Sequence, residues 1–373
     1  MTVRLHVSVL IPTFNRGRLI ADTIDAVLGQ TRPPDEVLVI DDGSTDDTAE
    51  VVARYAGQVS YVRQNNAGKA VALNRGLAAI TGDAVWICDD DDIPLPGTLE
   101  RFSTLLEQRP ELDFVFGLHD ELIESGGDWV VRSAPAPRRY QEPLAIQVLR
   151  SCFIFQPGML VRRRCYQRVG NFDERLLRSQ DYDMLIRLAH ECGGAELDGV
   201  VFHQRVHSGV RGPAHEQTSA VERRGQWLKY DRMIFAKVGE LYRPDEFGEG
   251  RIGAVRRAAI MARRGLWNEA ATALSRALED SRPLTQEEKR ELATVFDWAG
   301  YGLLAVDESW PFFNVLAAWS PRVAMQAAWA LARPLGRRFR SALRRRDREQ
   351  LRQITQAATA LFRMLPQSAG GRQ

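Results

Sequence analysis

The first hundred residues switch regularly between two hydrophobic periods, and few folds accept that pattern. HVSVLI (6–11) is a short apolar, β-branched run. From Arg16 to Gly29 apolar residues recur at Leu19, Ile20, Ile24, Val27 and Leu28, which is helical spacing. EVLVI (36–40) is a second buried run, and STDDTAEVVARYA (44–56) opens with helix-capping residues and continues with helix formers. VSYVRQ (59–64) reads as a third strand, Lys69 to Ile80 as a helix, and AVWIC (84–88) as a fourth strand. Strands alternating with helices of this length predict βαβ units and a mainly parallel sheet. Ligands of such sheets bind beyond the carboxyl ends of the strands. That rule gathers PTFN (12–15), DDGSTDD (41–47), QNNAGK (64–69) and DDDD (89–92) on one rim.

Each loop alone has a plain reading as turn, cap or solvated surface. The four aspartates are harder to dismiss, because Val85, Trp86 and Ile87 lead into them as a buried strand would. Carboxylates crowded at a strand end repel one another, and a divalent cation with oxygen ligands relieves that. The run is no EF-hand loop, since its sixth position is Pro94 and not glycine. Mg²⁺ or Mn²⁺ suits carboxylates beside a phosphate group.

Composition narrows the class. The chain has 373 residues, 45% of them hydrophobic, and a net charge of only +2, which argues against a general nucleic-acid binder. Cys88, Cys152, Cys165 and Cys192 form no CxxC pair and no zinc spacing, so they read as reduced, mostly structural thiols suited to the cytosol. The N-terminus has no secretory pattern, and no window reaches a membrane-spanning length of apolar residues.

Taken in order, VSVLIPTFNR, VLVIDDGSTDDT, NNAGKAVALNRG and TGDAVWICDDDD resemble the catalytic domain of glycosyltransferase family 2. The likeness continues through FQPGMLVRRRCYQRVGNFDERLLRSQDYDMLIRLA (155–189) to VHSG (206–209), about the first 210 residues. It implies a GT-A fold, a Rossmann-like α/β/α nucleotide-sugar-binding sandwich. It implies a catalytic domain over 1–212, with a nucleotide half near 1–115 and an acceptor half near 116–212, and an α-helical appendage over 213–373. By the same resemblance Pro12, Thr13, Phe14 and Asn15 line the nucleotide pocket, and Asp42 meets the base edge. Asn65, Gly68 and Lys69 lie near the ribose and phosphates. Asp89-x-Asp91 looks like the family's DxD motif, with Asp91 on the metal and Asp90 near sugar and ribose. His207 is placed at the diphosphate or the metal, and His203 reads as structural. Asp181 matches the aspartate of the family's ED motif and is implied as general base; Gln180 stands where the commoner pattern has glutamate.

The implied activity is inverting, metal-dependent transfer from a nucleotide sugar, by default a UDP-sugar, to a hydroxyl of a glycan or lipid-linked acceptor in cell-envelope synthesis. No QxxRW motif accompanies the core, which favours single addition over processive synthesis. A non-catalytic nucleotide-sugar-binding scaffold of the same fold is the alternative. A nucleotidyltransferase is weaker, because PTFNRGR is not a Gly-rich phosphate loop.

Beyond residue 212 the sequence predicts helices, with RIGAVRRAAIMARRGLWNEAATALSRALED (251–280) resembling one tetratricopeptide-like pair. Over 310–365 an apolar, Trp-containing run (310–332) broken by Pro321 and Arg322 is followed, from Leu335, by an apolar stripe beside eight arginines between Arg337 and Arg352. That pattern suits a basic amphipathic segment at a membrane surface, or equally a basic helix packed on protein.

Overall fold

The computed structural model describes residues 4–134, 137, 140–206, 220–280, 282–296, 312 and 314–316. The chain divides into two compact units, Met1–Thr218 and Ser219–Gln373.

The first unit is built on one mixed nine-stranded sheet with helices. β1 (Val7–Thr13), β2 (Glu36–Asp41), β3 (Ser60–Arg63) and β4 (Ala84–Ile87) run parallel in the order β3-β2-β1-β4. α1 (Ile20–Leu28), α2 (Thr48–Ala53) and α3 (Lys69–Ala79) are the crossovers between them. β1 and β4 are buried along their whole length, which is why they read as unbroken apolar runs. Gly76 of α3 lets the helix lie close on the sheet, for a Cβ there would stand 2.3 Å from Leu10.

Past β4 the sheet departs from the parallel expectation. The chain passes through β5 (Ile93–Pro94) and α4 (Thr98–Gln108) into the long strand β6 (Phe114–Ser125). β7 (Asp128–Arg132) returns as a hairpin on β6. α5 (Leu144–Arg150) then leads to β8 (Met159–Arg162), which pairs antiparallel with both β4 and β6. After α6 (Arg163–Val169) and α7 (Gln180–Glu191), β9 (Gly194–Val206) runs parallel to β6 and antiparallel to β5. Trp86 joins the two halves: fully buried in β4, it meets Phe102 edge-on at 6.2 Å and donates from Nε1 to Pro157 O at 2.8 Å.

The second unit is helical. It contains α8 (Ala220–Leu241), α9 (Arg251–Arg263), α10 (Trp267–Ala277) and α11 (Gln286–Ala293). α9 and α10 form the predicted pair, turning at Gly265 in a left-handed conformation (φ 78°). Buried ion pairs tie these helices, Arg264 to Asp231 at 2.8 Å and Arg251 to Glu288 at 2.8 Å. No helix among the described residues is long and apolar enough to cross a membrane. The basic segment at 310–365 lies outside the described residues except for Phe312 and 314–316; Phe312 is buried, edge-on to Trp267.

Candidate active site

The strand registers set the rim. Thr13 is level with Asp41, and Asp41 with Arg63, while Leu10 is level with Ile87. The carboxyl ends of β1 to β4 therefore open on one edge, and the four polar loops leave the sheet there.

The loops after β1 and β2 are knitted together. Asn15 takes a left-handed backbone (φ 54°), tolerated by asparagine better than by most residues. Its amide donates to Ser44 Oγ at 2.9 Å, and its side-chain Oδ1 accepts from Thr45 N at 2.7 Å. Ser44 and Thr45 thus serve the loop, and α2 starts later, with Asp47 at its N-cap. Asp42 holds the loop after β3: Oδ1 accepts from Gln64 Nε2 at 2.7 Å and Ala67 N at 2.9 Å, and Oδ2 from Gly68 N at 2.8 Å. Asn65 is exposed, and its neighbour Asn66 makes the loop contact, donating to Asp42 O at 2.9 Å. Gly43 is needed between them. It sits at φ 85°, and a Cβ would come within 2.8 Å of Asn66 N. Gly43→Ala should therefore cost about 1–3 kcal/mol of stability by strain and displacement of this loop; thermal denaturation measures it, and an unshifted midpoint would contradict the close approach.

The four aspartates are separated by a tight turn, Asp92 N donating to Asp89 O at 3.2 Å. Asp89 Oδ1 accepts from Lys69 Nζ at 2.5 Å. Asp90 swings to the first loop, 3.5 Å from Arg16 Nε and 3.4 Å from Phe14 N. Asp92 is structural, with Oδ1 accepting from Arg205 N in β9 at 3.0 Å and its carbonyl accepting from Thr23. Asp91 is 8% exposed. One carboxylate oxygen each of Asp89, Asp91 and Asp92 lies within 4.8 Å of the others.

Electrostatics match this crowding. Burial and the Asp91 carboxylate push Asp90 up to about 7 against the pull of Arg16. Asp89 is also raised, by burial first and then by Asp91 and Asp181, with Lys69 opposing. Burial would discharge Lys69, but the charges of Asp89, Asp181 and Asp91 outweigh it and hold the ammonium strongly protonated.

Asp181 enters from α7. Ser179, left-handed at φ 59°, is the N-cap, and Asp181 falls in the helix's first turn. Its Oδ1 accepts from Tyr182 N at 2.8 Å, and its charge acts on both Lys69 and Asp89. Asp183 points elsewhere, paired with Arg187 at 2.8 Å. Gln180 is buried, and its Oε1 has no hydrogen-bond partner among the described residues.

Residues 8–170 match the family model described as Glycosyl transferase family 2. This domain belongs to glycosyltransferase family 2. An uncharacterised glycosyltransferase of Rickettsia prowazekii is 28% identical over 209 residues, 54% of this chain and 64% of that protein. One from Nostoc is 31% identical over 178 residues, 45% of this chain and 54% of the relative. The chain thus spans less than two thirds of the length of these relatives. Among solved structures, S. aureus TarS (residues 1–349) in complex with UDP-GlcNAc aligns with a TM-score of 0.52 at 18% identity, covering 95% of this chain and 91% of that one. The Pyrobaculum calidifontis mannosyltransferase PcManGT, in complex with GDP-Man and Mn²⁺, aligns at 0.52 with 21% identity, covering 85% and 88%. At these identities the likeness shows the fold, and the fold is GT-A.

The structure gathers Pro12, Thr13, Phe14, Asn15, Asp42, Gly68, Lys69, Asp89, Asp90 and Asp91 of the family 2 domain around the rim, and Asp181, beyond the matched residues, acts on Lys69 and Asp89 there. His207 lies outside the described residues. Sequence reading missed three groups between residues 116 and 212. Gln156 is 3% exposed, and neither its Oε1 nor its Nε2 has a hydrogen-bond partner among the described residues. His119 of β6 stacks on Phe202, centroids 5.3 Å apart, and meets Phe155 edge-on at 4.7 Å, and burial lowers its pKa. Arg205 braces Asp92 through its backbone. The FQPGM motif was the signal for Gln156; the other two depend on pairing of β6 with β9.

The carboxylates fit a hard divalent cation, since the donors offered are oxygens and their crowding is offset in part by the Lys69 ammonium on Asp89 and Arg16 on Asp90. A pH signature follows. Asp90's folded pKa of about 7 lies above the ordinary aspartate value of about 3.9, so the folded protein holds a proton the unfolded chain has released. Stability without divalent ions should then fall as pH rises from about 4 through about 7. Melting temperatures in EDTA should drop across that window, and Mn²⁺ should flatten the slope; a slope of opposite sign would contradict the assigned environment.

Proposed function

We propose that the chain is an inverting, metal-dependent glycosyltransferase that moves a sugar from a nucleotide sugar, by default a UDP-sugar, to a hydroxyl acceptor in single additions. The observation that carries this is the convergence of Asp89, Asp91 and Lys69 at the end of β4 with Asp181 at the start of α7.

In this reading Pro12, Thr13, Phe14 and Asn15 form the wall of the base pocket. Asp42 already holds its own loop, yet Oδ2 accepts only one of those bonds and retains a lone pair for a base-edge N–H. Asn65 and Gly68 lie along the ribose and phosphates, with Asp90 toward the sugar. Asp91, with Asp89, is the site for Mg²⁺ or Mn²⁺, which when bound neutralises charge on the departing diphosphate. Lys69 supplies a second positive charge beside the same carboxylates. Asp181 takes the proton of the acceptor hydroxyl as that oxygen attacks the anomeric carbon from the face opposite the diphosphate. One displacement inverts the configuration. Gln180, uncharged where glutamate is commoner, leaves its amide for hydrogen bonding to a sugar hydroxyl and adds no repulsion to Asp181. His207 is a further candidate for the diphosphate or metal.

Calorimetric titration with a panel of nucleoside diphosphates, with and without Mn²⁺, tests the donor side. Micromolar binding of UDP that requires the metal is expected. No binding across the panel would overturn the reading.

Acceptors in cell-envelope glycan or lipid-linked form fit a protein that visits the cytoplasmic face of a membrane, and the basic segment at 310–365 is our proposed contact. Each basic residue near anionic lipid contributes about 1 kcal/mol, so binding should be reversible and salt-sensitive. The full chain should cosediment with anionic liposomes at low salt, and a chain truncated at Ser309 should not; equal behaviour would refute the contact.

A further inference from the structure

Away from the rim, α6 and α7 bring two thiols together. Cys165 lies in α6, and Cys192 is the C-cap residue of α7. Their sulfurs and a carboxylate oxygen of Asp113 all lie within 4.8 Å of one another. Cys165 is fully buried and its thiol faces Asp113 O at 3.6 Å. Cys192 is 8% exposed, with Arg168 Nη1 3.9 Å from its sulfur.

The cluster is poorly made for a metal ion. Asp113 is already engaged by Arg164 Nε at 2.9 Å, Gly193 N at 3.1 Å and Arg168 Nη1 at 3.5 Å. Two guanidiniums repel a cation and satisfy the carboxylate. They favour a thiolate instead. The adjoining Cys165 thiol, helped by Arg168, holds Cys192 below the usual thiol range against burial and the Asp113 charge, whereas the adjoining Cys192 sulfur and burial push Cys165 up. The shifts run in opposite directions on two adjoining sulfurs, Cys192 toward thiolate and Cys165 toward thiol, the asymmetry that thiol oxidation needs.

We propose that Cys165 and Cys192 are a reversible redox pair, oxidised by hydrogen peroxide to a disulfide that clamps α6 to α7. The Cys192 thiolate attacks one peroxide oxygen; an S–O bond forms, the O–O bond breaks and hydroxide leaves. The Cys165 sulfur then attacks the sulfenic sulfur; the S–S bond forms, the S–O bond breaks, and the Cys165 proton leaves with that oxygen as water. Two thiols lose two electrons, and peroxide ends as two waters. α7 carries Asp181 at its other end, so the clamp would hold the helix that presents this carboxylate. The pair itself stands independently of the proposed transfer reaction.

The test uses the full chain. Limited peroxide should lower the intact mass by two hydrogens, and a non-reducing peptide map should link the peptides of Cys165 and Cys192; dithiothreitol should reverse both. Cys165→Ser should stop at a dimedone-trappable sulfenic acid on Cys192, and Cys192→Ser should leave Cys165 unoxidised while half-buried Cys152 reacts. A map lacking the Cys165–Cys192 link, when Cys152 is consumed, overturns the proposal. One-to-one Zn²⁺ binding by the reduced protein that both serine variants lose also overturns it, in favour of a metal site.

Discussion

Asp91→Ala should lower turnover by at least about 10²–10³-fold and remove the metal dependence of nucleoside diphosphate binding. The fold should survive. Asp91 is one of the charges that raises both Asp89 and Asp90, so removing it relieves repulsion in the metal-free protein. Lys69 keeps its partner in Asp89. Melting in EDTA should therefore be unchanged or slightly higher, while the stabilisation that Mn²⁺ gives the native protein disappears. These two readouts separate loss of a metal ligand from loss of structure. Tight, metal-independent UDP binding together with retained turnover would rule out the role.

Asp181→Asn should cost on the order of 10²–10⁴ in kcat with donor affinity nearly unchanged. The amide keeps the shape and can still accept from Tyr182 N, so α7 should start as before. What is lost is a site for the acceptor's proton. The effect should lie in kcat at saturating donor, and product NMR on the native enzyme should show inverted anomeric configuration. Near-native kcat in the variant would show that another group is the base. Loss of donor binding instead would mean that Asp181's charge, felt by Lys69 and Asp89, mainly organises the donor pocket.

The parallel half of the sheet was legible because its signals are local. β1, β2 and β4 are buried on both faces, so each appears as a short unbroken apolar run, and the helices between them show their own period. Loop placement follows from strand direction alone. The antiparallel half gave weaker signals: β6 is buried at its start and half-exposed beyond, and β7 is exposed throughout. Neither has the pattern of a core strand.

The sequence by itself determined which residues reach the rim: once β1 to β4 are parallel, PTFN, DDGS, NNAGK and DDDD leave the sheet on the same side. Only the tertiary structure decided how those residues divide the work. Four adjacent aspartates look equivalent in a line of text. The turn at Asp89–Asp92 gives Asp89 to Lys69, Asp90 to Arg16, and Asp92 to the backbone of Arg205 in β9, and it buries Asp91 beside them. The pairing of Cys165 with Cys192 is hidden in the same way, because it depends on α6 packing against the end of α7. Periodicity and turn chemistry act over a few residues and survive in the sequence. Ion pairs and thiol contacts depend on distances of a few ångströms between distant segments, and those distances exist only after the chain has packed.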